Sequence, residues 1–254
     1  MQETNLPELG QNLTHNEKDP EIKHVNRFVF MLIIGVVAVV VAPPSIREYI
    51  WQNVIEHKVL AILFFLFIVL ALSVIWSFGA KLDELVFMYL NSHGIRSPLN
   101  DNLMMILTQA GNGLVAFILV TLFYLLNQRI FAYQFFLGTI TLWLVVEFSK
   151  LLIGRKRPFV SIKATRIVGN KAIGFSFPSG HTSQAFFMAT LFAQSLKLGS
   201  VVVLGLYLLA AVTGITRIYL GAHYPRDVIA GAFLGTIWGF SASVIYGIVQ
   251  TWIG

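Results

Sequence analysis

The chain contains no cysteine, so neither a disulfide framework nor a thiolate metal site is available to it. It is also poor in charge: Asp, Glu, Lys and Arg make up 12% of 254 residues, against 56% hydrophobic, and the mean hydropathy is +0.74. A water-soluble domain carries about 25% charged residues, so a soluble globular protein is excluded. Carboxylates are scarcer than cations, 12 against 18, which leaves a net charge of +6. The chain has no glycine-rich nucleotide-binding loop, no sign of nucleic-acid recognition, no internal repeat and no low-complexity tract.

What it does have is apolar runs. A membrane span needs about 20 apolar residues, and runs of that order fall at 28–42, 59–78, 114–126, 130–153, 182–198, 201–215 and 228–248. The expected fold is therefore all-α, a polytopic membrane bundle whose last six runs form the core. The first run is short, ends at Pro43-Pro44, and is read as either a seventh span or an interfacial helix. Residues 1–27 form a polar tail with five acids and no A-x-A-like site, so a cleaved signal peptide is not expected. Residues 28–58 are the extra hydrophobic segment and its connector, and 59–254 make one helical membrane domain. Within it, 79–113 is mixed in polarity with helical spacing, which reads as amphipathic helices lying on the membrane face.

Polar residues interrupt these runs in three places. In "EFSKLLIGRKRPF", Lys150 precedes Arg157 by seven residues, a spacing that would set both on one helical face. Taken alone, Lys150 could be a snorkelling lysine paired with Glu147. In "FPSGHTSQAFF", Ser179 is a natural N-cap, Gly180 lets a ligand approach the backbone, and His181 stands on the first turn of the helix that follows. In "TRIYLGAHYPRD", Arg217 closes one span, Pro225 suits the first residue of the next helix, and His223 falls in the loop just outside it. An Asp227 carboxylate in that first turn could accept from one imidazole nitrogen while the other faces a substrate. Together these residues supply cations, hydrogen-bond donors, two histidines and a carboxylate, which is the equipment of an oxyanion site with acid–base and nucleophilic groups in it.

"KLLIGRKRP", "PSGH" and "TRIYLGAHYPRD" resemble, in order and spacing, the K-x6-R-P, P-S-G-H and S-R-x5-H-x3-D motifs of the type 2 phosphatidic acid phosphatase (PAP2) superfamily. Thr216 stands where that family usually has serine, and it keeps the hydroxyl. The resemblance implies a six-helix PAP2-like core and a metal-independent lipid phosphate phosphatase. It makes His223 the nucleophile that forms a phosphohistidine, with Asp227 holding its tautomer, and His181 the acid and then the base. Lys150, Arg157, Ser179, Gly180 and Arg217 would bind the phosphoryl oxygens.

No cofactor is implied. A two-metal phosphoesterase needs clustered carboxylates and histidines, and acids near these motifs are few, chiefly Asp227 and Glu147, so no metal is expected. The implied partners are a lipid phosphate and membrane lipids, with no nucleic acid, and the oligomeric state is left open. The site would lie at the headgroups of a multi-pass cell-membrane protein, on the extracytoplasmic face, with Arg129 and Lys197 in the cytoplasm. Undecaprenyl diphosphate is the expected substrate, phosphatidylglycerophosphate and phosphatidate the alternatives. An anion transporter or a catalytically silent lipid-binding protein would share the cations, but neither requires the histidines and Asp227 at this spacing.

Overall fold

In the computed structural model, residues 20–92 and 97–253 are described, and 1–19, most of the polar tail, lie outside them. All regular structure among the described residues is helical: α1 (Pro20–Val41), α2 (Pro44–Glu56), α3 (Lys58–Ile75), α4 (Ala80–Ser92), α5 (Pro98–Leu107), α6 (Gly113–Leu125), α7 (Arg129–Ile153), the one-turn α8 (Pro158–Ser161), α9 (Gly180–Ser195), α10 (Ser200–Tyr219) and α11 (Pro225–Ile253). A 3-10 turn over Thr108–Gly111 links α5 to α6. Helices cover the apolar runs, and among the described residues four stretches are long and apolar enough to cross a membrane: α3, α7 continued through α8, α10 and α11, while α9, expected as a span, has 16 residues. The protein is a multi-pass membrane protein. The apolar part of α1, Arg27–Val41, is shorter, and at about 1.5 Å per residue it falls short of a hydrocarbon core about 30 Å thick.

Two local signals end elements where the reading above did not expect it. Lys150 and Arg157 do not share a helical face, because Gly154 adopts a left-handed conformation (φ 64°) and terminates α7 at Ile153. The chain then runs extended to Arg157, which swings its side chain inward as the residue before α8. The second departure is in 79–113. Only α4 and the start of α5, opened by Ser97 and Pro98, fit an interfacial reading. The remainder turns inward through the 3-10 turn and meets α6 at a 52° bend, the geometry of a broken span or a re-entrant loop. Asn112, extended at φ −81°, ψ 136°, makes that break and caps α6 by accepting from the Leu114 N–H.

The bundle is built around α9, which packs between α10 and α11. Its contact with α11 runs through Gly231, Gly235 and Gly239: a methyl at Gly235 would stand 2.2 Å from the Ser183 carbonyl oxygen, and one at Gly239 2.6 Å from the Thr190 Cβ. This small-residue stripe at every fourth position lets the two backbones touch. At the end of the bundle away from the polar motifs, Phe123, Phe131, Phe135 and Phe192 interlock, with edge-on pairs at 4.8 Å (Phe123–Phe131) and 5.3 Å (Phe135–Phe192). The motif-bearing end is held by polar contacts instead. There the C-terminal ends of α3, α7 and α10 meet α4, α5 and the N-terminal ends of α9 and α11.

Candidate active site

Each of the three motifs reaches the same end of the bundle by a different device. Ser179 caps α9 and Pro225 opens α11, and the Ser179 N–H donates to the Asp227 carbonyl at 3.0 Å, so the two helix starts are tied directly. Ser179 Oγ is fully buried and accepts from Thr182 Oγ1 at 2.9 Å. His223, Ala222 and Gly221 form the tight turn between α10 and α11, with the His223 N–H donating to the Arg217 carbonyl.

His223 is 3% exposed, and its two ring nitrogens are in different company. Nδ1 lies 2.7 Å from the Ser176 carbonyl oxygen, while the nearest Asp227 oxygen stands 3.8 Å away. The carbonyl, which can only accept, selects the tautomer protonated at Nδ1 and leaves Nε2 unprotonated, as an acceptor. Nε2 sits 3.2 Å from Nη1 of Arg157. Burial pushes the imidazole pKa down to about 3; the Asp227 carboxylate pulls the other way, and the Arg157 and Arg217 cations add to the depression.

Asp227 is fully buried and heavily solvated by donors: Ser176 Oγ at 2.5 Å, the Tyr224 N–H at 2.9 Å and Arg155 Nη1 at 2.5 Å. Arg157 is fixed by the carbonyls of Ile173, Gly174 and Ala222. Arg217 donates to Thr108 Oγ1 at 3.0 Å, and its Nε is buried with no hydrogen-bond partner among the described residues. A buried guanidinium N–H of that kind is available to an anion.

Lys150 forms a 2.7 Å ion pair with Glu147. It also lines, with Gly180 and His181, one end of a cavity of about 440 Å³. The rest of the lining is mainly apolar, with Leu114 and Phe117 from α6 and Trp143 from α7, together with Thr139 and Gln184. The structure thus brings His223, Asp227, Arg157 and Arg217 together on the loop side and Lys150, Gly180 and His181 on the cavity side. Among the described residues, no three His, Asp or Glu side chains cluster in a way that could hold a metal ion.

Sequence reading missed five residues here: Asp83, Arg155, Ser176, Thr108 and Gly111. Arg155 lay in plain view between Lys150 and Arg157, and its carboxylate-facing role could be suspected from the shortage of acids to neutralise it. Gly111 is needed for proximity, since a methyl there would come 2.1 Å from the His181 carbonyl oxygen. Asp83 and Thr108 sit far away in sequence, on elements whose inward turn only the fold reveals.

Residues 131–252 match the model of the PAP2 superfamily. Among curated proteins, the chain is 33% identical over 109 residues to a lipid A 4'-phosphatase of Bacteroides thetaiotaomicron (41% of this chain, 47% of that one). It is 37% identical over 93 residues to an undecaprenyl-diphosphatase of Sulfolobus acidocaldarius (35% and 43%), and 33% identical over 145 residues to a probable lipid phosphate phosphatase beta of Arabidopsis thaliana (46% and 68%). The chain thus spans less than half the length of the first two. Among solved structures, the fold resembles a transmembrane PAP2-type phosphatidylglycerolphosphate phosphatase from Bacillus subtilis, with TM-score 0.60, 25% identity, 75% of this chain and 96% of that one covered. The chain belongs to the PAP2 superfamily.

Proposed function

We propose that this protein hydrolyses a lipid phosphate ester or diphosphate at the membrane surface through a phosphohistidine. His223 Nε2 would attack phosphorus as the bond to the lipid oxygen breaks, and His181 would protonate that oxygen. His181 would then take a proton from water, whose oxygen attacks phosphorus and frees inorganic phosphate and neutral His223. Arg157, Arg217 and Lys150, with Ser179 and Gly180 at the start of α9, would neutralise the charge spread over the phosphoryl oxygens. The two-step route asks nothing of a metal-bound hydroxide, and metal independence is part of the proposal.

The observation that carries the lipid assignment is the cavity beside Lys150, Gly180 and His181, polar at the site and apolar along α6 and α7. It suits a phosphate that remains attached to a hydrocarbon. Undecaprenyl diphosphate is proposed as the substrate to test first, supported by the named activity of the Sulfolobus acidocaldarius relative. Phosphatidylglycerophosphate, phosphatidate and lipid A are the competitors.

The experiment is phosphate release by the detergent-purified protein in EDTA from these four lipids, with His223→Ala alongside. Release that survives EDTA and vanishes in the variant supports the reading and ranks the lipids. Equal release by the variant overturns it.

The site is proposed to face the extracytoplasmic side. Lys58, Arg129 and Lys197 stand at the helix ends away from the motifs, as cations at the cytoplasmic ends of spans do. The chain's lack of cysteine allows a direct test with single introduced cysteines. An impermeant maleimide added to intact cells should label Lys171→Cys, exposed in the motif-side loop, and not Lys197→Cys; the reverse pattern refutes the orientation.

A further inference from the structure

The polar contacts around Asp227 do not stop at the three motifs. Arg155 extends one guanidinium nitrogen, Nη1, to Asp227 Oδ1 at 2.5 Å and the other, Nη2, to Asp83 Oδ2. Its guanidinium carbon lies 4.0 Å above the Tyr224 ring, so the planar group is clamped on both edges and one face. With both arms occupied by carboxylates, Arg155 has no free arm for a phosphate, unlike Arg217 with its unpaired Nε.

Asp83 comes from the first turn of α4, the surface helix, yet it is 4% exposed. Its Oδ1 accepts from the Arg226 N–H at 3.0 Å and its Oδ2 is also 3.1 Å from Arg226 Nε. It therefore balances two cations that flank Asp227 in sequence or in space. Without Asp83, Arg155 and Arg226 would leave Asp227 outnumbered, and a carboxylate so neutralised stabilises a positive imidazole poorly.

We propose that Asp83 and Arg155 are positioning residues for the His223 reaction: Asp83 holds Arg155, and Arg155 holds Asp227 in place without ever touching the phosphate. The inference rests on the phosphohistidine reading and extends it to an element, α4, that lies outside all three motifs. Because the pair acts on the group behind the nucleophile, its loss should appear in turnover and not in substrate binding.

The test is steady-state kinetics on detergent-purified wild type, Asp83→Asn, Arg155→Lys, Arg155→Met and the double variant Asp83→Asn/Arg155→Met. Rates are normalised to the folded fraction from size-exclusion and thermal unfolding, with the lipid that the wild type hydrolyses. Asp83→Asn should lower kcat about 10- to 100-fold, as loss of an electrostatic support to a catalytic group does, with KM within about twofold. Arg155→Lys, which keeps the charge but cannot bridge two carboxylates, should behave alike. The double variant should be no slower than Arg155→Met, because Asp83 acts through Arg155. Losses that multiply in the double variant, a loss that disappears once rates are normalised to the folded fraction, or a loss entirely in KM would each overturn the proposal. His223→Ala in the same series separates the two ideas. If it retains activity, the phosphohistidine reading itself fails; if it is inactive while Asp83→Asn turns over normally, only the positioning role fails.

Discussion

The His223 imidazole rests its Nδ1 against the backbone carbonyl of Ser176 at 2.7 Å. A backbone acceptor cannot be deleted by substitution and cannot change protonation. The tautomer that leaves Nε2 unprotonated is thus set by the main chain, with Asp227 supplying charge from 3.8 Å.

From this follows an expectation for Asp227→Asn. Where a carboxylate alone sets a catalytic histidine's tautomer, the amide costs about 10⁴ in kcat. Here the Ser176 carbonyl retains the tautomer, so the loss should be electrostatic and smaller, about 10- to 100-fold, and well short of that of His223→Ala. A loss as deep as the histidine variant's would assign the tautomer to Asp227 after all.

The depressed His223 pKa has a signed consequence for stability. Unfolded, the imidazole titrates near 6.5; folded, it resists protonation to about 3. Below 6.5 the unfolded chain gains a proton that the folded chain refuses, so stability is full above 6.5 and falls as the pH drops through that window, by up to about 1.4 kcal/mol per pH unit. Thermal unfolding in detergent should give a lower Tm at pH 5 than at pH 7.5. His223→Asn, which has no proton to take up, should show a shallower slope, and an unchanged slope would remove His223 as the cause.

Glu147→Gln tests how Lys150 is held in reserve. In the resting site Lys150 is paired with Glu147 at 2.7 Å, and Glu147 is the more exposed partner. Pairs with an exposed partner contribute about 0–1 kcal/mol, so releasing Lys150 should lower KM about two- to fivefold with kcat little changed. A raised KM would mean that Glu147 orients Lys150 and does not compete for it.

Gly235→Val tests the helix contact that aligns the motifs. A Cβ at 2.2 Å from the Ser183 carbonyl oxygen meets backbone, which has nowhere to move. Overpacking of this kind costs about 1–3 kcal/mol or more, and here it also separates Ser179 from Asp227. The variant should show a lower Tm and lose phosphate release together; full activity at a normal Tm would show that α9 and α11 can part without consequence.

Most of the fold was legible because apolar runs, proline starts and Ser179 report on the backbone locally. The helices over 59–78, 130–153 and 228–248 were read within a few residues at most boundaries. Arg157 was set on the wrong element because a spacing of seven fits a helix, and only the left-handed turn at Gly154 says that the helix has stopped. The bent pair of α5 and α6 escaped because the mixed polarity of 98–112 mimics a surface helix, although the residues that face inward there are Thr108 and Gly111. Asp83 was invisible for a simpler reason: one aspartate on a surface helix has no periodicity to betray that it is buried against arginines 72 and 143 residues away.

The bend at Asn112 shapes how the proposed reaction would be reached. Since α6 begins beside His181, the cavity between α6 and α7 reaches the site from the flank of the bundle, along Leu114, Phe117 and Trp143. A substrate anchored in the leaflet would slide in sideways without lifting its chains out of the bilayer, and the dephosphorylated lipid would leave by the same route. Inorganic phosphate, which no bilayer dissolves, would depart toward water. Products of opposite solubility would then be sorted by where each can go, and their separation would make the hydrolysis hard to reverse.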